Sequence, residues 1–129
     1  MGFVDANISS SSTGIGIIAG YVGLAAGAEN YTGKITNCYT SGILKGSGAA
    51  GGIGGVLGGS GYIKNCYSSA TVIDQIANNT GKAGGIIGRV NGNASGSSIE
   101  NCYSSGDISA IGGSNFHRTS QSFYCAGKD

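Results

Sequence analysis

Four cysteines and one histidine are the residues of this chain best able to do covalent or metal chemistry: Cys38, Cys66, Cys102, Cys125 and His117. A zinc site draws on paired ligands, commonly two cysteines two to four residues apart, and here no pair has C-x-x-C spacing. Cys125 and His117 could supply a nucleophile and a base, but a working pair needs a third group to orient the base, and none is indicated. Three of the cysteines stand inside one recurring tripeptide, Asn37-Cys38-Tyr39, Asn65-Cys66-Tyr67 and Asn101-Cys102-Tyr103. A reactive centre is needed once, whereas three copies at steps of 28 and 36 residues are what a stack of similar coils leaves in a sequence. No catalytic, cofactor-binding or metal-binding residue is assigned, and no cofactor is expected.

Other chemical motifs dissolve in the same way. Asp74, Glu100 and Asp107 are the acidic residues nearest the repeats, yet none recurs at an equivalent place in every copy, as a calcium-binding repeat requires. Gly14-Ile15-Gly16-Ile17-Ile18-Ala19 satisfies G-x-G-x-x-A, but that fingerprint needs a strand before it and a helix after it, and a glycine-rich chain generates such spacings freely. Asn7, Asn30, Asn78 and Asn93 each open an N-x-Ser/Thr triplet, which matters only for an exported protein in a glycosylating host.

Composition narrows the function classes. The chain has 129 residues, 27 of them glycine, no proline, 10% charged residues and a net charge of +1. Nucleic acid and anionic membranes are bound largely through clustered Lys and Arg, so neither is an expected partner. The longest apolar stretch, Ile15 to Ala28, is diluted by glycine, which argues against membrane insertion, and it lacks the basic flank of a signal peptide; any export signal is expected outside these residues. At 40% hydrophobic residues held in register with the tripeptides, the chain reads as one ordered domain over residues 1–129.

The elements that position the tripeptide follow from the repeat. Ahead of it lies a small-apolar-apolar-small block, Gly55-Val56-Leu57-Gly58 in the second copy and Gly85-Ile86-Ile87-Gly88 in the third; in the first, either Gly16-Ile17-Ile18-Ala19 or Gly20-Tyr21-Val22-Gly23 fits. Glycines around an apolar pair suit a short strand that turns at both ends. A loop of variable length follows, brief at Gly59 to Tyr62 and longer at Arg89 to Ser98, placing insertions on one edge of the stack. Next come Ile35, Ile63 and Ile99, each followed by a polar residue.

Strict alternation from these isoleucines would leave the cysteines outside, so a corner at Asn37, Asn65 and Asn101 is expected. Asparagine tolerates left-handed backbone angles, and its amide can both donate and accept, so stacked copies can form a ladder. Beyond the corner the parity resets. Cys38, Cys66 and Cys102 should point inward, as should Thr40, Ser68 and Ser104, then Leu44, Val72 and Ile108; Tyr39, Tyr67 and Tyr103 should form an outer column beside Ser41, Ser69 and Ser105. Stacked rungs lie about 4.8 Å apart with parallel Cβ vectors, while a disulfide needs Cβ atoms about 3.8 Å apart and facing. Free buried thiols are therefore expected, with Cys125 left to pair with one of them or with another molecule.

The unit Gly84-Gly85-Ile86-Ile87-Gly88, followed by Ser98-Ile99-Glu100-Asn101-Cys102-Tyr103-Ser104-Ser105-Gly106-Asp107-Ile108, resembles the GLUG repeat of bacterial surface and secreted proteins, including adhesin-like chains. The resemblance covers most of residues 15 to 113. It implies an all-β fold, a β-solenoid or parallel β-helix of about three to four coils, with short strands and Gly/Asn corners. The repeats fall at about 15–46, 50–74 and 83–113, and 114–129, with Phe123-Tyr124-Cys125, is a degenerate tail or cap. The function expected is a non-enzymatic, extracellular or cell-surface structural or adhesive solenoid. It would be a segment of a larger surface protein or a subunit that self-associates through its coil ends into a filament. The alternative is a ligand-binding solenoid whose Tyr or Ser/Thr columns meet ice or cell-surface glycan.

Overall fold

The computed structural model describes residues 1–23, 25–26, 29–30, 32–75, 82–91 and 96–110, with side chains left out at 25–26, 29–30 and 110. The tail from Ser114, with His117 and Cys125, and the triplets at Asn78 and Asn93 lie outside these residues. Every regular element described is a strand. A leading strand, β1 (Gly2–Ser10), is followed by a first coil of β2 (Gly14–Gly16), β3 (Ala19–Val22), β4 (Ala25–Ala26), β5 (Glu29–Asn30), β6 (Lys34–Thr36) and β7 (Tyr39–Gly46). The second coil holds β8 (Ala49–Gly51), β9 (Gly54–Leu57), β10 (Tyr62–Lys64), β11 (Tyr67–Ser68) and β12 (Thr71–Asp74). The third holds β13 (Lys82–Gly84), β14 (Ile87–Val90), β15 (Ser98–Glu100), β16 (Tyr103–Ser104) and β17 (Ile108–Ala110).

Each coil pairs in parallel with the next, giving the β-solenoid that the repeat predicts. Four arms recur. The inbound arm stacks β2, β8 and β13, and the outbound arm stacks β3, β9 and β14. The isoleucine arm stacks β6, β10 and β15, with Ile35, Ile63 and Ile99 in one column. The long arm sets β7 beside β11 and β12, and these beside β16 and β17. The β4–β5 pair is antiparallel and sits in the first coil's loop.

Register corrects the reading of the glycine blocks. Gly16, Gly51 and Gly84 are partners, as are Val22, Leu57 and Val90. Gly85-Ile86-Ile87-Gly88 therefore corresponds to Gly52-Ile53-Gly54-Gly55, three residues ahead of the block chosen in the second copy. Both candidate blocks of the first copy are used: one makes the bend between the inbound and outbound arms, the other makes the outbound strand. An apolar pair between glycines occurs at both places, so local composition could not separate them.

The loop expectation is also corrected. The third coil's tripeptide lies eight residues later than the 28-residue step would place it, and these residues enter at two corners. Five lengthen the connection from β12 to β13 relative to that from β7 to β8, and three lengthen that from β14 to β15 relative to that from β9 to β10. Lengthening a connection at a corner costs little, because closure entropy grows only slowly with loop length.

The glycines fold each coil inward. An added Cβ at Gly55 would collide with the backbone of Ile15 and Gly14 in the coil below, and one at Gly88 with the backbone of Ala50 and Ala49. The outer sides of the inbound and outbound arms thus press together backbone to backbone, a wedge that only glycine permits, and every residue from Ala49 to Gly59 is buried. The wedge divides the interior. On one side the outbound and isoleucine arms enclose Val22, Ile53, Leu57, Ile63, Ile86, Ile99, Cys66 and Cys102. On the other, Ile15 and Ala50 of the inbound arm, with Ile17 at the bend, meet Leu44, Ala70 and Val72 of the long arm.

Candidate functional site

The corner between the isoleucine arm and the long arm carries the recurring tripeptide. Asn37, Asn65 and Asn101 hold φ of 55°, 53° and 51°, the left-handed conformation that asparagine accepts better than most side chains. Asn65 Nδ2 donates to Asn37 Oδ1 and Asn101 Nδ2 to Asn65 Oδ1, both at 3.2 Å, so the amides form a ladder along the stack.

The turn places the thiols inside. Cys66 and Cys102 are buried and Cys38 is half-buried; all three are free. Each sulfur donates back across the corner to the carbonyl two residues earlier: Cys38 to Thr36, Cys66 to Lys64 and Cys102 to Glu100, at 3.1, 3.3 and 3.2 Å. Burial raises the pKa of Cys66, and raises that of Cys102 from 9.0 to about 11. These thiols are the reverse of activated nucleophiles. We expect Cys66 and Cys102 to resist a thiol reagent at pH 8 in the folded protein and to react once urea unfolds it, which timed labelling and mass spectrometry would read. The sign of the pH effect follows: the unfolded thiol ionises first, so stability is level below about pH 9 and falls as pH climbs toward about 11. Chemical denaturation across that range would measure the fall.

Thr40, Ser68 and Ser104 form a buried hydroxyl column at the tip of the wedge. Thr40 Oγ1 lies within hydrogen-bond distance of both the Gly52 carbonyl of the next coil, at 2.8 Å, and Ser68 Oγ, at 2.9 Å. Ser68 Oγ accepts from the Ala70 amide at 3.3 Å. An added Cβ at Gly52 or Gly85 would collide with the hydroxyl of Ser68 or Ser104, so the bend and the column are matched. The sequence reading missed this match; its trace was the recurring double glycine before Ile53 and Ile86. Ser104 Oγ has no hydrogen-bond partner among the described residues.

Outside, Tyr39, Tyr67 and Tyr103 occupy one register column of the long arm. The Tyr67 and Tyr103 rings stack with centroids 4.5 Å apart and planes tilted by 30°. Hydrogen bonding to Ser69, and then to Ser105, draws the Tyr67 phenol below its ordinary pKa. Tyr39 instead leans over Gly2, its partner on β1, where a side chain would strike the ring. Ser41 and Ser69 are half-buried and Ser105 is exposed; Ser41 Oγ accepts from the Asp5 amide at 3.1 Å. On the isoleucine arm's outer side, Lys64 and Glu100 form an exposed ion pair at 3.3 Å, which lifts the lysine pKa. The described residues hold no cluster of three or more His, Cys, Asp or Glu side chains that could seat a metal ion.

Residues 79–109 match the GLUG motif. The chain also resembles the crystal structure of a protein from Bacteroides ovatus described as a candidate immunoglobulin A1 protease, with a TM-score of 0.75 and 58% identity. The match covers 84% of this chain and 33% of that one, so the chain spans about a third of that protein's length. Comparison with curated proteins finds no match. The third coil is thus the stretch that the motif names, its columns continue through the two coils before it, and the chain is a β-solenoid carrying the GLUG motif.

Proposed function

We propose that this chain is a non-enzymatic structural and adhesive module at the cell surface or outside the cell, built to extend and to stack rather than to transform a substrate. The observation that carries the reading is the equivalence of the coils. Asn, Cys, Thr/Ser and Tyr each recur in a column through the three coils, so among the described residues the coils repeat one surface. If the resemblance extends to the biology of the B. ovatus protein, the solenoid would hold or present that protein's acting parts. Incubating the purified chain with immunoglobulin A1 tests this. Intact heavy chains after prolonged incubation are the expected result, and cleavage abolished by a protease inhibitor would refute the non-enzymatic reading.

Glycan binding is the second reading, favoured by the partly exposed Tyr39 and Tyr103 beside the serine column. Aromatic faces in a row suit sugar rings. A glycan array on which Tyr103→Ala loses the signal would support it. The ice reading has less to draw on, because Thr40, Ser68 and Ser104 are buried and leave one hydroxyl column at the surface.

A further inference from the structure

The two ends of the stack are complementary. The amide ladder runs from Asn101 through Asn65 to Asn37, so a coil placed below Asn37 would meet its Nδ2 donor and a coil placed above Asn101 would meet its Oδ1 acceptor. Among the described residues the third coil's columns are also unfinished. Val90 belongs to the inward column of Val22 and Leu57, at 3% and 1% exposure, yet is 40% exposed itself. Ser104 Oγ is buried without a partner among the described residues, where Thr40 reaches the Gly52 carbonyl of the next coil.

The first coil's outer edge is covered, but imperfectly. β1 pairs with β7 as one more rung of the long arm, through Gly2–Tyr39, Phe3–Thr40, Ile8–Leu44 and their neighbours. Its residues fit the columns poorly. Gly2 stands in the tyrosine column and Phe3, 42% exposed, in the hydroxyl column. The register shifts between Phe3 and Ala6, and Asp5 has a φ of 54°. Gly2 to Asp5 are all exposed, and Ala6 and Ile8 alone pack against the core. The long arm of the third coil, by contrast, carries Tyr103, Ser104, Gly106 and Ile108, the residue types that match Tyr39, Thr40, Gly42 and Leu44.

We propose that the edge of β7 is a docking surface for the third coil of a second copy of this chain, and that β1 is a weaker, built-in occupant that must leave before the copies stack head to tail. The proposal rests on the stacking reading above and adds the surfaces and their competitor. Docking sets Tyr103 on Tyr39, Ser104 on Thr40 and Val90 on Val22, and gives the Ser104 hydroxyl a partner in the Thr40 hydroxyl. The contact is heterologous and does not close on itself, so it propagates into a filament.

Two singly labelled full-length chains test it, one carrying Tyr39→Cys and the other Tyr103→Cys, joined by a short thiol cross-linker. A covalent dimer linked between positions 39 and 103 by peptide mapping, formed on mixing and absent from either chain alone, is expected. Adding Ile8→Asp to the Tyr39→Cys chain removes β1's apolar anchor and should raise the cross-linked fraction about tenfold at fixed concentration, with circular dichroism confirming the fold. Filaments by electron microscopy without the 39–103 cross-link would overturn the proposed surfaces and leave self-assembly standing. A folded monomer at every concentration, with and without Ile8→Asp, would overturn both.

Discussion

Gly55→Ala is expected to destabilise the fold by more than about 3 kcal/mol, a large share of the roughly 5–15 kcal/mol that holds a typical domain together. The added methyl is directed at the backbone of Ile15 and Gly14 in the neighbouring coil, and backbone cannot rotate out of the way as a side-chain end can. The wedge must open, and opening it strips both apolar compartments at once, since the inbound arm packs on one and the outbound arm on the other. Gly96→Ala is the matched control: its new atom meets the Ser60 hydroxyl, which can turn aside, so a change within about 0.5 kcal/mol is expected. Urea denaturation of both variants decides the matter, and equal midpoints would show that the arms are not pressed together.

Asn65→Ala should cost about 2 kcal/mol, and more than the same change at Asn37 or Asn101. Two terms add. Alanine pays about 1 kcal/mol or more to hold the left-handed φ of 53°, and the middle amide is the one that both donates to Asn37 and accepts from Asn101. Asn65→Gly separates them. Glycine keeps the corner free of strain and loses only the two hydrogen bonds, so it should fall between the wild type and alanine. Thermal melts of the three variants read the order; alanine as stable as glycine would mean that the backbone angle carries no cost.

Much of this was legible in the sequence because the tripeptide is constrained at every atom. Asparagine takes a left-handed corner, the cysteine that follows turns inward by parity, and the tyrosine after it turns out, so three identical triplets announce three equivalent corners. The glycine blocks were harder. Gly55 and Gly85 look alike as text, but the first meets a strand backbone and the second meets the Ser104 hydroxyl, and which neighbour a glycine faces is settled by partners dozens of residues away. β1 was invisible for a different reason. With Gly2 in the tyrosine column and Phe3 in the hydroxyl column, it shares almost no residue type with the arm it imitates, and only backbone pairing places it there.

The direction of the pairing has a mechanical consequence. In all four arms the hydrogen bonds between rungs run along the stacking axis, so a pull applied end to end loads the arms of a rung together and the rungs one after another. Tension is then shared by four arms at each step from coil to coil, and rupture must start at whichever rung pairs least completely. Under shear flow that rung is the junction of β1 with β7, where one arm alone carries the load, while the coils above it, each tied on every side, stay wound.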